Sequence, residues 1–286
     1  MKIGVFLLLL FFILSCTTRQ DEFYMPDSYD LPFIIDDWRF IGIEADDSSL
    51  YIIDTGATHS LLFRDRIDIA FQTRGIRRVN RRQIVLWGSV DSLCLGGLIV
   101  KNHNFAFMSS RNTMFANMPN VVGVIGMDTL SQRHSFFDIK NRRLYLSTSL
   151  HGTLHPCFTM QYTMERNSPL VSLTINGTEF NNILFDSGYN QFLKLNETEI
   201  GNITSSGSMV ESSFELTDFL NRSQMFTTIT FDSLNINGFG LTGEIPIHFT
   251  NNSSTQLLGS AFMLAWRGFS INPETKTINF YRYPPC

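Results

Sequence analysis

Short apolar segments alternate with polar turns along most of the chain. The segments are rich in Val, Ile, Leu and Phe and are separated by Asn, Gly and Asp, which is typical of strands joined by tight turns. Helical periodicity is weak, and it predicts two short helices, Asp128–His134 and Ser260–Trp266, each soon after a glycine. The pattern therefore predicts an all-β fold.

The N-terminal segment departs from this pattern. Val5–Leu14 is an unbroken apolar run of ten residues. It is too short to span a bilayer, but it has the length of the apolar core of a signal peptide. The run ends in the tripeptide Leu-Ser-Cys at Cys16, which resembles the bacterial lipobox, the motif whose cysteine becomes the lipidated first residue after cleavage. We expect a lipoprotein signal peptide over residues 1–15 and a polar tether over residues 16–30.

A lipid on Cys16 would anchor the protein to a membrane of the bacterial cell envelope, facing either the periplasm or the surface. The alternative is an ordinary secretory signal followed by an unmodified cysteine. The tether carries several acidic residues and is short. It therefore has the wrong charge and length to cap a negatively charged site, and we expect no inhibitory prosegment.

Three blocks of sequence occur twice, in the same order. The first block is an apolar hairpin that ends in Asp-Thr-Gly in one copy and in Asp-Ser-Gly in the other, at an offset of 132 residues. The third block centres on an apolar-apolar-Gly element. The matched positions of the three blocks are Ile43 and Ile175, Val90 and Phe231, and Gly126 and Gly259.

The repeat divides the chain into two strand-rich halves, residues 31–149 and residues 150–286. Two copies are too few for a solenoid, in which at least three repeats stack. A pair of equivalent halves related by a pseudo-dyad is the natural arrangement, with one surface of each half facing the other. We expect an N-terminal and a C-terminal lobe in one monomeric chain.

Each half contributes one aspartate in the same local setting. Asp54 and Asp186 both follow an apolar strand, so each carboxylate stands at a strand tip beside apolar residues. The hydroxyls of Thr55 and Ser187 can hydrogen-bond across the dyad, and the glycine that follows each of them permits a tight loop. Two carboxylates held close together cannot both ionise easily, so they share one proton. Such a pair combines a general base for a water molecule with a general acid for a carbonyl oxygen.

The two loops and the glycine elements resemble those of bilobal, pepsin-like aspartic proteases, and more specifically a bacterial retropepsin-like member with both lobes in one chain. The resemblance rests on Asp54-Thr55-Gly56-Ala57-Thr58, Asp186-Ser187-Gly188, Val124-Ile125-Gly126 and Leu257-Leu258-Gly259. It implies two homologous lobes and an endopeptidase that activates water between Asp54 and Asp186. The residues that it implies as supports of the catalytic loops are Thr55, Gly56, Thr58, Ser187 and Gly188. The alternative is an inactive envelope protein of pepsin-like fold that binds peptides or partners.

The second loop departs from the family pattern. Tyr189 and Asn190 follow the Asp-Ser-Gly motif, where the family has a small residue and then Ser or Thr. Tyr189 either fills a substrate pocket or blocks one, and Asn190 could donate to the carboxylate as Thr would. In the family, a hairpin closes over the substrate, and the corresponding span is residues 72–88. This span carries five arginines and Trp87, and it reads either as a solvated basic loop or as a flap that favours acidic substrates or anionic headgroups.

Composition excludes several other functions. The net charge of −4 argues against nucleic-acid binding by phosphate neutralisation. Residues 238–243 match the letters of a dinucleotide-binding loop, but a strand-like segment follows them where that motif requires a helix. No zinc-protease spacing occurs. We expect no metal and no cofactor, and a peptide or protein substrate.

The cysteines give two further expectations. Cys94 lies within a predicted strand, and we expect a buried thiol there. Cys157 opens the second half and Cys286 ends the chain. If the terminal strands of the second half meet in one sheet, these two cysteines can form a disulfide, which an oxidising envelope permits.

Overall fold

The computed structural model describes residues 28–45, 48–79, 83–148, 155–203, 209–220, 222–250 and 255–282. The expected signal peptide and the lipidation site Cys16 lie outside the described residues. So does the expected junction between the halves at residues 149–150. The expectations about them therefore stay predictions. Within the described ranges, no helix is long and apolar enough to cross a membrane.

Strands form most of the described chain. The strands of the first half are β1 (Tyr29–Ile35), β2 (Ile41–Glu44), β3 (Leu50–Ile53), β4 (Leu61–Phe63), β5 (Gln72–Val79), β6 (Gln83–Leu95), β7 (Leu98–Met108), β8 (Val121–Ile125), β9 (His134–Asp138) and β10 (Arg143–Ser147). Those of the second half are β11 (Phe158–Glu165), β12 (Ser168–Ile175), β13 (Thr178–Asp186), β14 (Leu193–Asn196), β15 (Met209–Thr217), β16 (Ser223–Ile236), β17 (Phe239–Thr250), β18 (Leu257–Gly259), β19 (Gly268–Asn272) and β20 (Thr277–Tyr281). The helical elements are α1 (Met127–Leu130), α2 (Ile200–Ile203), α3 (Ser260–Met263) and the 3-10 turns Ser110–Asn112, Met114–Asn117 and Glu197–Glu199.

Both predicted helices are shorter than expected. The ends predicted at His134 and Trp266 are wrong, because α1 ends at Leu130 and α3 ends at Met263. After one helical turn, the chain passes in each case into a strand, β9 or β19, and these two strands pair with each other. Residues 131–133 and 264–267 form the turns that lead into these strands, and the pairing of β9 with β19 outweighs a weak helical preference.

The pairing pattern of the first ten strands recurs in the last ten. β3 runs parallel to β8, and β13 runs parallel to β18. β4 lies between β7 and β8, just as β14 lies between β17 and β18. β5 with β6 and β15 with β16 form long antiparallel hairpins. Each site-forming element thus has a counterpart ten strands later in the chain.

One antiparallel sheet contains strands of both halves, in the order β1–β10–β9–β19–β20–β11. β9 and β19 pair at its centre, where the rings of Phe137 and Phe269 stack with centroids 4.4 Å apart. The largest fully buried side chains of the described chain are all phenylalanines, and each such burial stabilises the fold by about 1.5–3 kcal/mol. Backbone pairing and aromatic packing therefore tie the two halves together.

Cys94 is exposed, so its assignment as a buried thiol is wrong. Successive side chains of a strand point to opposite faces of the sheet. In β6 the neighbours Leu93 and Leu95 occupy the buried face, and Cys94 therefore points outward. The position of Cys94 within a strand does not imply that it is buried, because alternate side chains of such a strand face solvent.

Cys157 is disulfide-bonded. Its N–H donates to the carbonyl of Phe280 at 2.9 Å, and β11 pairs with β20 from Phe158 onward. The first and last strands of the second half therefore meet in one sheet, which is the condition set for the predicted bridge. The expected partner, Cys286, lies outside the described residues, so the pairing itself stays a prediction.

Candidate active site

Asp54 and Asp186 occupy equivalent places at strand ends. Asp54 directly follows β3, and its N–H donates to the carbonyl of Ile125 in β8 at 3.0 Å. Asp186 ends β13, where it pairs in register with Gly259 of β18. The two apolar-apolar-Gly elements therefore lie directly beside the two aspartate loops.

Gly126 and Gly259 allow this close approach. A Cβ atom on Gly126 would lie under 3.0 Å from the carbonyl oxygen of Ala57, and one on Gly259 would collide with the carbonyl oxygen of Tyr189. The residue after each glycine donates its N–H to the same carbonyl, at 3.0 Å in the first half and 2.8 Å in the second. Each loop is thus fixed from behind by the glycine element of its own half.

Thr55 and Ser187 join the two loops through reciprocal hydrogen bonds. The N–H of Thr55 donates to Ser187 Oγ at 3.0 Å, and the N–H of Ser187 donates to Thr55 Oγ1 at 2.9 Å. The two hydroxyls then donate to main-chain carbonyls of the opposite half, Thr55 to Phe185 at 2.7 Å and Ser187 to Ile53 at 2.8 Å. Both side chains are fully buried, so every bond of this lock is shielded from water.

Gly56 and Gly188 bring each loop against the opposite carboxyl group. A Cβ atom on Gly56 would lie under 3.0 Å from the carboxyl group of Asp186, and one on Gly188 would lie under 3.0 Å from that of Asp54. No other residue type fits at either position without moving a catalytic candidate. The four flanking residues predicted from the two motifs are therefore all in contact with the carboxyl pair or its supports.

The two carboxyl groups hydrogen-bond to each other, and their pKa values rise by different amounts. Burial raises the pKa of Asp54, while hydrogen bonds from Asp186 and from the N–H groups of Gly56 and Ala57 oppose the rise. Burial also raises the pKa of Asp186 well above its usual range, and the negative charge of Asp54 raises it further. The pair therefore holds one shared proton.

The backbone explains this asymmetry. Asp54 Oδ1 accepts hydrogen bonds from two N–H groups, those of Gly56 and Ala57, each at 2.9 Å. Asp186 Oδ1 accepts one such bond, from Gly188 at 2.9 Å. Hydrogen bonds to the charged form of a carboxyl group favour ionisation, so the first loop stabilises a carboxylate better than the second loop does.

A cavity of about 920 Å³ has both carboxyl groups in its wall. Aromatic side chains from both halves line it, among them Trp38, Phe115, Phe219 and Phe226. Its volume lies within the range of ligand-binding cavities, about 300–1,000 Å³. The carboxyl groups are thus shielded from bulk water but open to a space that can hold part of a peptide.

The span predicted as a flap, residues 72–88, forms the hairpin of β5 and β6. Trp87 of this hairpin packs edge-on against the ring of His59, with centroids 4.7 Å apart. His59 lies shortly after the first aspartate loop, so this contact joins the hairpin to the loop. Residues 80–82, which include Arg81 and Arg82, lie outside the described residues.

A second hairpin, formed by β15 and β16, reaches across from the second half to the first. Phe219, in the connection between the two strands, packs edge-on against Phe115, with centroids 6.0 Å apart. The carbonyl of Phe219 also accepts a hydrogen bond from the N–H of Met114 at 3.0 Å. This bridge lines the cavity, and sequence reasoning missed it, because nothing in the sequence of Phe219 and its neighbours points to a partner that is about one hundred residues away.

The residues that depart from the family pattern take up different roles. Tyr189 lines the same cavity as both carboxyl groups, so it does not seal them from that space. Its buried hydroxyl has no hydrogen-bond partner among the described residues, and burial followed by the charge of Asp186 raises its pKa. Asn190 does not donate to Asp186 as expected; its Oδ1 accepts a hydrogen bond from Gln191 at 3.1 Å. The side chain of Asn190, which is longer than the Ser or Thr of the family, is directed toward Gln191.

Thr58, which is predicted as a support of the catalytic loop, contacts the second half through its backbone. Within the described part of the chain, the hydroxyl of Thr58 makes no hydrogen bond to Asp54. Its main-chain carbonyl accepts a hydrogen bond from Asn167 Nδ2 at 3.3 Å. The hydrogen bonds to Asp54 Oδ1 come from the backbone N–H groups of Gly56 and Ala57.

A polar network behind the first loop was not anticipated from the sequence. Asp128 accepts hydrogen bonds from the hydroxyl of Ser60 at 2.6 Å and from its N–H at 2.9 Å, and its other oxygen lies 3.2 Å from His103 Nε2. Ser60 Oγ also accepts from the N–H of Gly126 at 3.0 Å. Burial raises the pKa of Asp128, but the hydrogen bonds from His103 and Ser60 outweigh it and lower the pKa overall. This buried carboxylate fixes the glycine element behind Asp54.

Among the residues that the structure describes, no group of three or more His, Cys, Asp or Glu side chains is arranged to hold a metal ion. The histidine and carboxylate groups of the Asp128 network are instead engaged with one another and with Ser60.

Comparison with known proteins gives a structural likeness only. No family model and no curated protein matches the chain. The structure of Basic 7S globulin from soybean matches with a TM-score of 0.56 and 11% sequence identity, over 89% of this chain and 94% of its own. A retropepsin-like aspartic protease from Rickettsia conorii matches with a TM-score of 0.33 and 15% identity, over 43% of this chain and 88% of its own.

The all-β, pepsin-like fold predicted from the sequence is confirmed by the structure and by its likeness to the soybean globulin. An identity of 11% shows the fold alone. Function therefore has to be argued from the site.

Proposed function

We propose that the chain is an aspartic endopeptidase, which hydrolyses peptide bonds with a water molecule activated between Asp54 and Asp186. The observation that carries the proposal is the pair of carboxyl groups itself. Equivalent loops of the two halves deliver them, the Thr55–Ser187 lock holds the loops together, and a cavity opens onto both groups. A shared proton on such a pair supplies a base and an acid at one place.

In this mechanism Asp54 is the base and Asp186 is the acid. Asp54 takes a proton from the water molecule as its oxygen attacks the scissile carbonyl carbon, while Asp186 gives its proton to the carbonyl oxygen. The resulting diol then collapses: the C–N bond breaks, the amine nitrogen takes a proton from Asp54, and a diol hydroxyl returns a proton to Asp186. The pair ends with one proton, as it began, and no covalent intermediate forms.

The surroundings of the pair suit this division of roles. The second N–H on Asp54 Oδ1 stabilises the ionised form that a base requires. Asp186 lies beside that charge with a single N–H donor, which stabilises the protonated form that an acid requires. Both hairpins stand close to the cavity or its loops, where they can exclude water from the bound peptide.

The proposal includes the setting predicted from the sequence. The protein is a monomer that a lipid on Cys16 anchors in the bacterial cell envelope, and its substrate is a peptide or protein in that compartment. The Leu-Ser-Cys tripeptide after the apolar run supports this placement. Mass spectrometry of the mature N-terminus tests it: a diacylglycerol-modified Cys16 is expected, and a free thiol there or cleavage at another bond contradicts it.

The activity is tested with purified protein that begins at residue 17 and a denatured protein mixture as substrate. We expect peptide fragments to appear, to diminish with a pepstatin-type inhibitor, and to be unaffected by a metal chelator. Fragments that persist with the inhibitor but vanish with the chelator contradict the proposal. Intact substrate at every pH from acidic to neutral favours the alternative of a binding protein.

A further inference from the structure

Lys194 is a buried lysine in the wall of the carboxyl-pair cavity. It lies in β14 between Leu193 and Leu195, and only 8% of its surface is exposed. Lysine is almost never buried to this degree unless it is paired. Its side chain lines the same cavity as Asp54 and Asp186.

The fold itself does not require a charge at this position. The fold places Leu61 of β4 at the position equivalent to that of Lys194 in β14, and Leu61 is buried. Leu61 pairs with Val124 of β8 and Lys194 pairs with Leu257 of β18, and each of these partners lies two residues before the glycine of its apolar-apolar-Gly element. The equivalent position thus holds a buried leucine in the first half and a buried lysine in the second half. The fold can therefore form with an apolar side chain at this position.

Within the described chain, no ion pair or hydrogen bond engages the Lys194 ammonium. Besides the carboxyl pair, the cavity is lined by Asp37, Glu215 and Asp218, but Asp218 is paired with Arg222, and Asp37 and Glu215 are exposed to solvent. The register neighbour His248 is uncharged at neutral pH, because burial lowers its pKa to about 4. The charged group that acts on Lys194 is Asp186.

Asp186 is a poor permanent counter-ion for this lysine. Burial lowers the pKa of Lys194, and the field of Asp186 offsets only part of that effect. Asp186 also shares one proton with Asp54, and two N–H groups donate to Asp54 where only one donates to Asp186, so the negative charge of the pair is better stabilised on Asp54. A buried ammonium without a full negative partner is costly, and the open side of Lys194 faces the substrate space.

We propose that Lys194 is a specificity residue that binds a carboxylate of the substrate in the cavity beside the scissile bond. The inference rests on the proposed function and narrows its substrate class to peptides with an acidic group close to the cleaved bond. The carboxylate comes either from an Asp or Glu side chain or from the C-terminus of the substrate. Binding places a negative charge beside the Lys194 ammonium and forms a charge-assisted hydrogen bond with it.

The test uses peptide pairs that differ in one carboxylate. In the first series, the two peptides of a pair carry Glu and Gln at the same position, and each position within four residues of the cleaved bond is tested in turn. In a further pair, one peptide ends in a free carboxylate and the other in an amide. Cleavage is measured with the active protein, and binding is measured with the D54N variant, which retains the cavity but not the base. Three lysine variants are compared: Lys194→Met, Lys194→Leu, which installs the residue of the first half, and Lys101→Met, which removes an exposed lysine of β7.

We expect about a ten-fold preference for the acidic member of one pair, a size that a charge-assisted hydrogen bond provides. Lys194→Met and Lys194→Leu should abolish this preference and leave the amide peptide bound as before, whereas Lys101→Met should keep it. Which pair responds identifies the source of the carboxylate. Equal affinity for both members in the unmodified protein, or a preference that survives both Lys194 variants, overturns the inference.

The same experiment separates this inference from the proposed function. Cleavage without any acidic preference overturns the role of Lys194 and leaves the endopeptidase intact. Binding of acidic peptides that depends on Lys194, without cleavage, overturns the endopeptidase and leaves the carboxylate site. If no peptide of either kind binds or is cleaved, both proposals are wrong. The thermal unfolding midpoint of each variant is measured first. If Lys194→Met does not fold, Lys194→Leu is used in its place.

Discussion

The N–H of Thr55 donates to Ser187 at 3.0 Å, and the N–H of Ser187 donates back to Thr55 at 2.9 Å. The two residues are 132 positions apart, and each is the residue after the aspartate of its own half. A hydroxyl from one half thus satisfies a backbone donor of the other. The relative position of the two carboxyl groups depends on this exchange, because both loops are fixed at the same point.

Breaking the lock should destabilise the protein. Thr55→Val removes the acceptor for the Ser187 N–H and leaves that donor buried without a partner, which costs about 1–3 kcal/mol. Ser187→Ala does the same to the Thr55 N–H. The double variant should cost less than the sum, because both substitutions break one shared network. Urea unfolding measures these values.

Thr163→Val is the matched control for the lock, since Thr163 is exposed in β11 and outside the site. We expect its free energy of unfolding to change by about 0.5 kcal/mol or less. Equal effects of Thr55→Val and Thr163→Val would show that the reciprocal bonds do not stabilise the fold.

The carboxyl pair should make stability depend on pH in a defined direction. Burial and the charge of Asp54 raise the folded-state pKa of Asp186 above its ordinary value of 3.8. The contribution to stability is therefore present below that ordinary value, and it is lost as the pH rises through the folded-state pKa. Asp186→Asn cannot ionise, so it should be more stable than the unmodified protein near neutral pH.

Thermal unfolding of Asp186→Asn at acidic and neutral pH measures this difference, at about 2–4 °C in Tm for each kcal/mol. The gain in Tm should shrink as the pH falls, because the unmodified pair is then protonated. Asp91→Asn, an exposed site in β6, is the control. A lower Tm for Asp186→Asn than for the control at neutral pH would mean that ionisation of Asp186 beside Asp54 does not destabilise the protein.

Asp128 should show the opposite sign. Its folded-state pKa is lowered, because the hydrogen bonds from His103 and Ser60 outweigh the effect of burial. Its contribution to stability is present above the ordinary value of 3.8 and is lost as the pH falls through the lowered pKa. Asp128→Asn should therefore cost about 1–3 kcal/mol near neutral pH, since an amide cannot accept all of these bonds.

Urea unfolding of Asp128→Asn across the acidic range checks this prediction, with Asp91→Asn again as the control. The cost should diminish toward low pH, where the unmodified carboxylate also becomes protonated. If the decrease in the free energy of unfolding does not vary with pH, it comes from a change in side-chain packing. The charge of Asp128 would then have no role in holding the loop.

The β15–β16 hairpin should open when its aromatic contact is removed. Phe219→Ala deletes the edge-on contact with Phe115, which is worth about 0.5–1.5 kcal/mol. Hydrogen exchange of the Met114 N–H, which donates to the carbonyl of Phe219, reports the opening directly. We expect exchange to become about five-fold faster. Met225→Ala, at an exposed position of β16, should leave it unchanged; an unchanged rate in Phe219→Ala would show that the bridge rests on the backbone alone.

Local sequence was sufficient for the parts of the site that repeat. The Asp-Thr-Gly and Asp-Ser-Gly motifs each encode a strand end, a hydroxyl and a glycine. Because the two copies are alike, the approach of Thr55 to Ser187 and of Gly56 to Asp186 follows from placing one copy against the other. The all-β fold follows in the same way from short apolar segments and turn residues.

The parts that sequence reasoning missed depend on contacts between distant segments or on differences between the copies. Asp128 draws its partners from two distant places, Ser60 from the loop before β4 and His103 from β7, and none of the three residues is marked by a local motif. Lys194 stands out only when the strand pairing sets it against Leu61 of the first half and the structure shows its burial. Cys94 was misassigned because the sequence shows that a segment is a strand more clearly than which of its faces is buried.

The most direct test of the account is the kcat/KM of peptide cleavage for Asp54→Asn, Asp186→Asn and the double variant. If the two carboxyl groups act as one unit with one shared proton, each single variant should lose nearly as much activity as the double variant. Activity of the unmodified protein should also fall as the pH rises and the pair loses its proton. An Asp186→Asn variant that retains most of its activity would contradict the account, because catalysis would then need only the first loop.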